Sequence, residues 1–147
     1  MSTVVTKSTE VNKANMRRFY DEVFNKKNRA VIDEFIDPNQ VDHAAPPGTP
    51  AGLEGAKQTL TMYLTAFPDL YFTVEDLIAE GDKVVTRLTT RGTQQGAFMG
   101  IPPTGKHVTV TAIDINRFAG GKSVEHWLNM DTLGLLQQLG VIPAPGQ

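Results

Sequence analysis

The chain of 147 residues contains no cysteine. Disulfides, thiolate nucleophiles and any zinc site that needs sulfur are therefore excluded. Histidine is scarce as well, with only His43, His107 and His126, and their scatter lacks the spacing of a metal centre. No metal is expected. A formal net charge of −2 provides no broad basic field for nucleic acid or an anionic membrane, so neither is expected as a partner. No apolar run approaches the ~20 residues that span a bilayer. The opening MSTVVTKSTE is short and polar, without an apolar h-region or a twin arginine, so a cytoplasmic location is expected. What remains is ordinary for a soluble globule, 40% hydrophobic and 20% charged. The length suits one domain over residues 1–147, with its core at about 10–140 and flexible termini.

Periodicity divides the chain into helices first and strands afterwards. Met16, Phe19, Tyr20, Val23 and Phe24 fall on one face of an amphipathic helix, with Thr9 in place as its cap. Asn28 is placed to cap a short second helix through Val31, Ile32 and Phe35, which Asp37-Pro38-Asn39 should stop. A proline- and alanine-rich loop from His43 to Pro50 leads to a third helix carrying Leu53, Ala56, Leu60, Tyr63, Leu64 and Phe67, ended by Pro68. From Leu70 the pattern turns extended. Strands are predicted at Leu70–Ile78, Lys83–Thr93, Val108–Phe118 and Ser123–Met130, with turns at Glu80-Gly81-Asp82, Pro102–Lys106 and Ala119-Gly120-Gly121. A last helix spans Thr132–Leu139, and Asp131 stands where its cap belongs. The class is α+β.

Local sequence narrows this further. Asn25 and Asn28, Phe67-Pro68-Asp69-Leu70, Glu80-Gly81-Asp82-Lys83-Val84-Val85 and Arg91-Gly92-Thr93 resemble segments of the SnoaL-like polyketide cyclases, within the nuclear transport factor 2-like superfamily. So do Gly100-Ile101-Pro102-Pro103-Thr104-Gly105-Lys106, Gly121–Trp127 and Gln138-Leu139-Gly140, and together they cover roughly residues 12–140 in order. The resemblance implies a cone-shaped α+β barrel, in which N-terminal helices close a strongly curved, mostly antiparallel sheet around a pocket for a hydrophobic small molecule. It also implies frequent homodimers through the outer sheet face. Members include polyketide cyclases that use acid–base side chains without metal or organic cofactor; ketosteroid isomerases, epoxide hydrolases and binding proteins are relatives. Fold alone does not choose among these reactions.

The candidate site lies on the last hairpin. If Ala119-Gly120-Gly121 is a three-residue loop, paired residue numbers sum to 240 and Asp114 lies directly across from His126. Alternation places both on one face with Ala112, Asn116, Leu128 and Met130. Asp114 and His126 are thus the candidate catalytic pair, Asp114 orienting the ring and raising its basicity while His126 moves the proton. In the cyclases, the resemblance implies an acid–base histidine at the position of His126, an aspartate at that of Leu128 and a second histidine at that of Asp114. Leu128 cannot carry a proton, which supports the alternative of a binding protein that holds a ligand without turning it over. A structural dimerisation module is the third reading. Candidate pocket residues are His43, Asn116, Leu128, Met130, Tyr63, Phe98 and Met99, with Phe98-Met99 at the mouth. Trp127, Asn129, Arg87 and Arg91 are expected on the outer face and His107 in solvent.

Overall fold

The computed structural model describes residues 3–146, with side chains from residue 8 to 146. The expectation of flexible termini falls in part on residues 1, 2 and 147, outside the described residues. Helix α1 (Thr3–Arg18) runs without a break into a π-helical segment, Phe19–Asn25, and then a short 3-10 turn, Arg29–Glu34. Strand β1 (Ile36–Asp42) and helix α2 (Gly52–Ala66) follow. Four further strands complete the sheet, β2 (Tyr71–Glu80), β3 (Lys83–Thr93), β4 (His107–Ala119) and β5 (Lys122–Met130), before α3 (Thr132–Leu139). The sheet order is β1-β5-β4-β3-β2, antiparallel except where β1 lies parallel to β5. The sheet stays open, and the helices close its inner face. Among the described residues no helix is long and apolar enough to cross a membrane.

The first helix differs from expectation at both ends. It already runs at Thr3, so Thr9 is an interior residue and not a cap. Its C-terminal turns widen into π geometry, with Lys26 N–H reaching back to the Asp21 carbonyl at 2.8 Å. That winding turns Tyr20, Val23 and Phe24 onto the sheet, where all three are buried. Asn25 fastens the end of the segment, since its side chain both donates to the Phe72 carbonyl (2.9 Å) and accepts from the Phe72 N–H (2.7 Å). Asn28 precedes the 3-10 turn but makes no side-chain capping bond.

Strand β1 is the element that sequence periodicity misses. Asp37-Pro38-Asn39 does not end the chain's regular structure; it continues extended along the sheet edge. Proline is tolerated there because an edge strand need not donate on both sides, and the pairing of β1 breaks between Ile36 and Val41. Helix α2 starts against this strand at Gly52, whose φ is +68°. A Cβ on Gly52 would stand 1.8 Å from the Pro38 carbonyl oxygen.

On the inner face of the sheet, Val84, Leu88, Val108, Val110, Ala112 and Phe118 pack against Met16, Tyr20, Val23, Phe24, Leu60 and Leu64. The β3–β4 connection is organised around Gln94, which is fully buried. Its amide donates to the Gly96 and Ile101 carbonyls and accepts from the Thr104 N–H and hydroxyl. Asp131 caps α3 as expected, accepting from Gly134 N–H at 2.9 Å.

Replacing Gly52 by Ala should destabilise the fold by about 2 kcal/mol or more, because positive φ and the Pro38 carbonyl both oppose a Cβ. Thermal or urea unfolding measures this, and an unchanged midpoint would show that β1 and α2 separate freely.

Candidate active site

The β4–β5 hairpin closes more tightly than a three-residue loop. Ala119 pairs with Lys122 and Phe118 with Ser123 around Gly120-Gly121, both in the left-handed region. A bulge after Ser123 then shifts the register, so that Arg117 meets Glu125, Asn116 meets His126 and Asp114 meets Leu128. The expected pairing of Asp114 directly with His126 is therefore off by one step of the same face. Because that step is two residues, both side chains still point inward, and they meet diagonally at 3.5 Å (His126 Nε2 to Asp114 Oδ2).

On its other side His126 is paired with Asp42, its neighbour in the parallel β1–β5 ladder. His126 Nδ1 lies 2.9 Å from Asp42 Oδ1, so the imidazole is held between two carboxylates on three strands. Asp114 is 1% exposed, whereas the side chains of His126 and Asp42 are 20% and 21% exposed, which makes the β1–β5 edge the side open to solvent. From the π-helical segment, the Tyr20 hydroxyl donates to Asp114 Oδ2. Asn116 Nδ2 reaches the same oxygen at 3.5 Å, and Asn116 Oδ1 accepts from Ser123 Oγ at 2.6 Å. Ser123 Oγ accepts in turn from Gln40 Nε2 at 2.8 Å. Asp114 Oδ1 has no hydrogen-bond partner.

These contacts set the charges. Burial alone would push the His126 pKa down, but hydrogen bonds and charge attraction from Asp114 and Asp42 prevail and raise it to about 9. At neutral pH this shift favours the imidazolium form of His126. Burial works to raise the Asp42 carboxyl, yet the His126 hydrogen bond and charge, the Ala44 N–H and His43 bring it below the usual value. Burial, followed by the Asp114 charge, pushes the Tyr20 hydroxyl well up, so it remains a proton donor. Tyr63 is raised by burial and then by Asp42.

The remaining expected pocket residues divide. Leu128 and Met130 are half-buried on the inner face against the core. Tyr63 and Phe98 face each other at 5.6 Å, and Phe98 also meets Phe67 edge-on at 5.3 Å, so Phe98 is core and not mouth. Met99, at the loop tip with φ +51°, is 63% exposed. His43 is a correction. It follows inward-facing Asp42, so its side chain lies on the outer face, stacked on Trp127 at 5.0 Å and 2.7 Å from Glu125 Oε2. Arg87 pairs outside with Asp76 at 2.7 Å. A cavity of about 10 Å³ lies beside Asn116 and Ser123, lined also by Asn15, Met16, Phe19 and Phe35. It has room for about one water. Sequence reasoning passed over Asp42 in favour of its neighbour His43, and placed Tyr20 only on the apolar face of the first helix. Alternation along an extended Gln40-Val41-Asp42 was the signal for Asp42, and Pro38 concealed it.

Comparison with known proteins bears on the family and the fold. The family profile of the SnoaL-like polyketide cyclases matches residues 14–139. TsrD of Streptomyces laurentii superposes with a TM-score of 0.81 at 30% identity, covering 97% of this chain and 99% of its own. AclR of Streptomyces galilaeus, provisionally described as a hydroxylase, gives 0.79 at 31% identity over 92% and 85%. IdmH of Streptomyces antibioticus, provisionally described as a polyketide cyclase, gives 0.76 at 36% identity over 88% and 98%. No curated protein matches the chain.

The raised His126 pKa has a definite sign in stability. Its contribution is complete below the unfolded value of 6.5 and is lost as pH rises through about 9, a total on the order of 3 kcal/mol. Asp42→Asn should lower the His126 pKa measured by NMR and flatten stability across that window. A His126 that titrates near 6.5 in the unaltered protein would contradict the two-carboxylate clamp.

Proposed function

Because the chain belongs to the SnoaL-like polyketide cyclase family, we propose that it is a cofactor-independent acid–base enzyme acting on a neutral, hydrophobic carbonyl compound. The observation that carries this reading is the buried Asp114 set against the His126 imidazolium. Asp114 Oδ2 is committed to donors, while Oδ1 keeps its lone pairs free to accept a proton. In this scheme Asp114 removes a proton from the carbon next to a carbonyl. Negative charge grows on the carbonyl oxygen, and the His126 imidazolium meets it with a proton or a hydrogen bond, while the Tyr20 hydroxyl stays on Asp114 Oδ2. The resulting enol carbon then attacks a second carbonyl in a cyclisation, or is reprotonated elsewhere in an isomerisation. Asp42 acts through His126 by holding its charge and ring plane.

Two further features support the partners expected of such a protein. The half-buried Leu128 and Met130 flank the acid–base cluster and suit an apolar ligand. On the outer face, Ile78, Val85, Ile115 and Trp127 stand in one row across four strands. The row is edged by the self-neutralising pairs Arg87–Asp76 and Arg117–Glu125 and suits a second copy of the same face. Ile115→Lys should turn such a dimer into a monomer in sedimentation analysis, and an unaltered chain that sediments as a monomer would end the dimer proposal.

A second reading is favoured by Leu128 and by the near-complete burial of Asp114: a protein that binds the same class of ligand without reaction. Exchange of α-hydrogens for deuterium, followed by NMR over a panel of aromatic and alicyclic ketones, separates the two without knowledge of the natural substrate. The enzyme reading expects catalysed exchange whose rate falls off as His126 loses its proton near pH 9. Asp114→Asn should slow it by about a hundredfold to ten-thousandfold with the circular dichroism spectrum unchanged. Saturable binding with no exchange, or full exchange in the Asn variant, would rule out the role given to Asp114.

A further inference from the structure

Among the described residues, two buried side-chain polar atoms have no hydrogen-bond partner, Asp114 Oδ1 and the Thr86 hydroxyl oxygen. They are not scattered. Thr86 on β3 is the direct cross-strand partner of Asp114 on β4, and both side chains lie on the inner face, 0% and 1% exposed. Directly opposed residues bring their Cβ atoms to roughly 4.5–5.5 Å. The row they occupy is otherwise apolar, running Leu77, Thr86, Asp114, Leu128 across β2 to β5. Each unsatisfied atom in such a place costs about 1–3 kcal/mol, and valine would fill the Thr86 position at almost the same volume without that cost. Two such atoms on directly opposed residues, next to the Asp114–His126 pair, are a hydrogen-bonding demand that the folded chain does not itself meet.

We propose that Thr86 and Asp114 Oδ1 together form a subsite for a single O–H group of a neutral apolar ligand, an enol, phenol or alcohol. The inference rests on the reading of Asp114 as the proton acceptor of this site. The chemistry of the pair selects the group. A carboxylate oxygen needs a donor, and the threonine hydroxyl has a proton to give. One hydroxyl oxygen answers both, donating to Asp114 Oδ1 and accepting from Thr86. A carbonyl oxygen satisfies Thr86 but turns its negative end toward the carboxylate. An ammonium group would face the His126 imidazolium, which lies 3.5 Å from the other oxygen of the same carboxylate. An ether or methoxy group has no proton for Oδ1. Leu77 and Leu128 at the ends of the row set the rest of the ligand against apolar surface. Thr86 is thus a residue that chooses the oxygen group presented to Asp114.

The test uses 2-naphthol as a neutral O–H probe and 2-methoxynaphthalene as its donor-free match, with binding followed by calorimetry or ligand fluorescence. The unaltered protein should hold 2-naphthol at least about tenfold more tightly than the methoxy compound. Thr86→Val should remove most of that preference while leaving affinity for the methoxy compound in place, and its melting temperature should stay level or rise. Thr86→Ser, which keeps the hydroxyl, should keep the preference. Equal binding of both probes, or binding of neither, overturns the subsite. So does a Thr86→Val variant that weakens both probes alike or melts lower with the preference intact, since the hydroxyl would then serve only the folded chain, through Asp114 or an internal water. None of these readings involves turnover, so deuterium exchange that survives in the face of a failed probe test would leave the acid–base reading of Asp114 standing.

Discussion

One imidazolium held between two carboxylates is the constraint around which this structure is arranged. A carboxylate as deeply buried as Asp114 is costly unless it is paired and hydrogen-bonded. His126 supplies the opposing charge, Tyr20 and Asn116 supply donors, and Asp42 keeps His126 charged from the far side. Each of these groups arrives on a different part of the chain. Asp42 comes from the sheet edge, Asp114 and Asn116 from a central strand, His126 from the strand between, and Tyr20 from the helix laid across them. The cluster cannot assemble until β1 has paired with β5 and the first helix has docked, so the chemistry of the site and the closure of the fold are one event.

The same dependence explains the irregular backbone. An α-helix continued through Phe19–Asn25 would distribute its side chains with the regular 3.6-residue period. The π winding broadens that period and lets Tyr20 and Phe24 both meet Phe72, at 5.0 and 4.7 Å, with the Tyr20 hydroxyl still on Asp114. The bulge after Ser123 has a comparable effect on β5. Without it the inward residues would change places with the outward ones, and His126 would stand where Trp127 stacks on His43.

Much of the fold could be read from sequence because its elements obey simple periods. Lys83–Thr93 and Thr132–Leu139 have the limits that alternation and capping assign to them, and Asp114 and His126 share the expected face because the tighter turn and the bulge each shift the register by one residue. Parity was robust because a register error of two residues leaves every side chain on its face. Partner identity was not, since it depends on the Gly120-Gly121 turn and a bulge that no local residue announces. Strand β1 was hidden for a different reason. Its seven residues contain Asp37, Pro38 and Asn39, which local propensity assigns to a turn; only the parallel neighbour β5 makes them a strand, and that pairing is non-local. With β1 unread, Asp42 went unseen and His43 was turned inward. The pairing of Thr86 with Asp114 was likewise out of reach, because β3 and β4 are joined by a long connection organised by Gln94.

The resemblance to the cyclases implied an aspartate where this chain has Leu128 and a histidine where it has Asp114, which suggests at first a site emptied of its acid. The register argues otherwise. Asp114 and Leu128 are directly opposite each other on adjacent strands of the inner face. Moving a carboxylate from one position to the other shifts it by about one strand spacing, ~4.8 Å, within the same wall of the cone. What changes more is its company. At position 114 the carboxylate reaches the Tyr20 hydroxyl and stands opposite Thr86, and it sits one strand further from the solvent-facing edge formed by β1 and β5. The exchange therefore keeps a carboxylate–imidazole pair on the inner face while drawing its carboxylate deeper, where the lower-dielectric surroundings strengthen its interaction with His126.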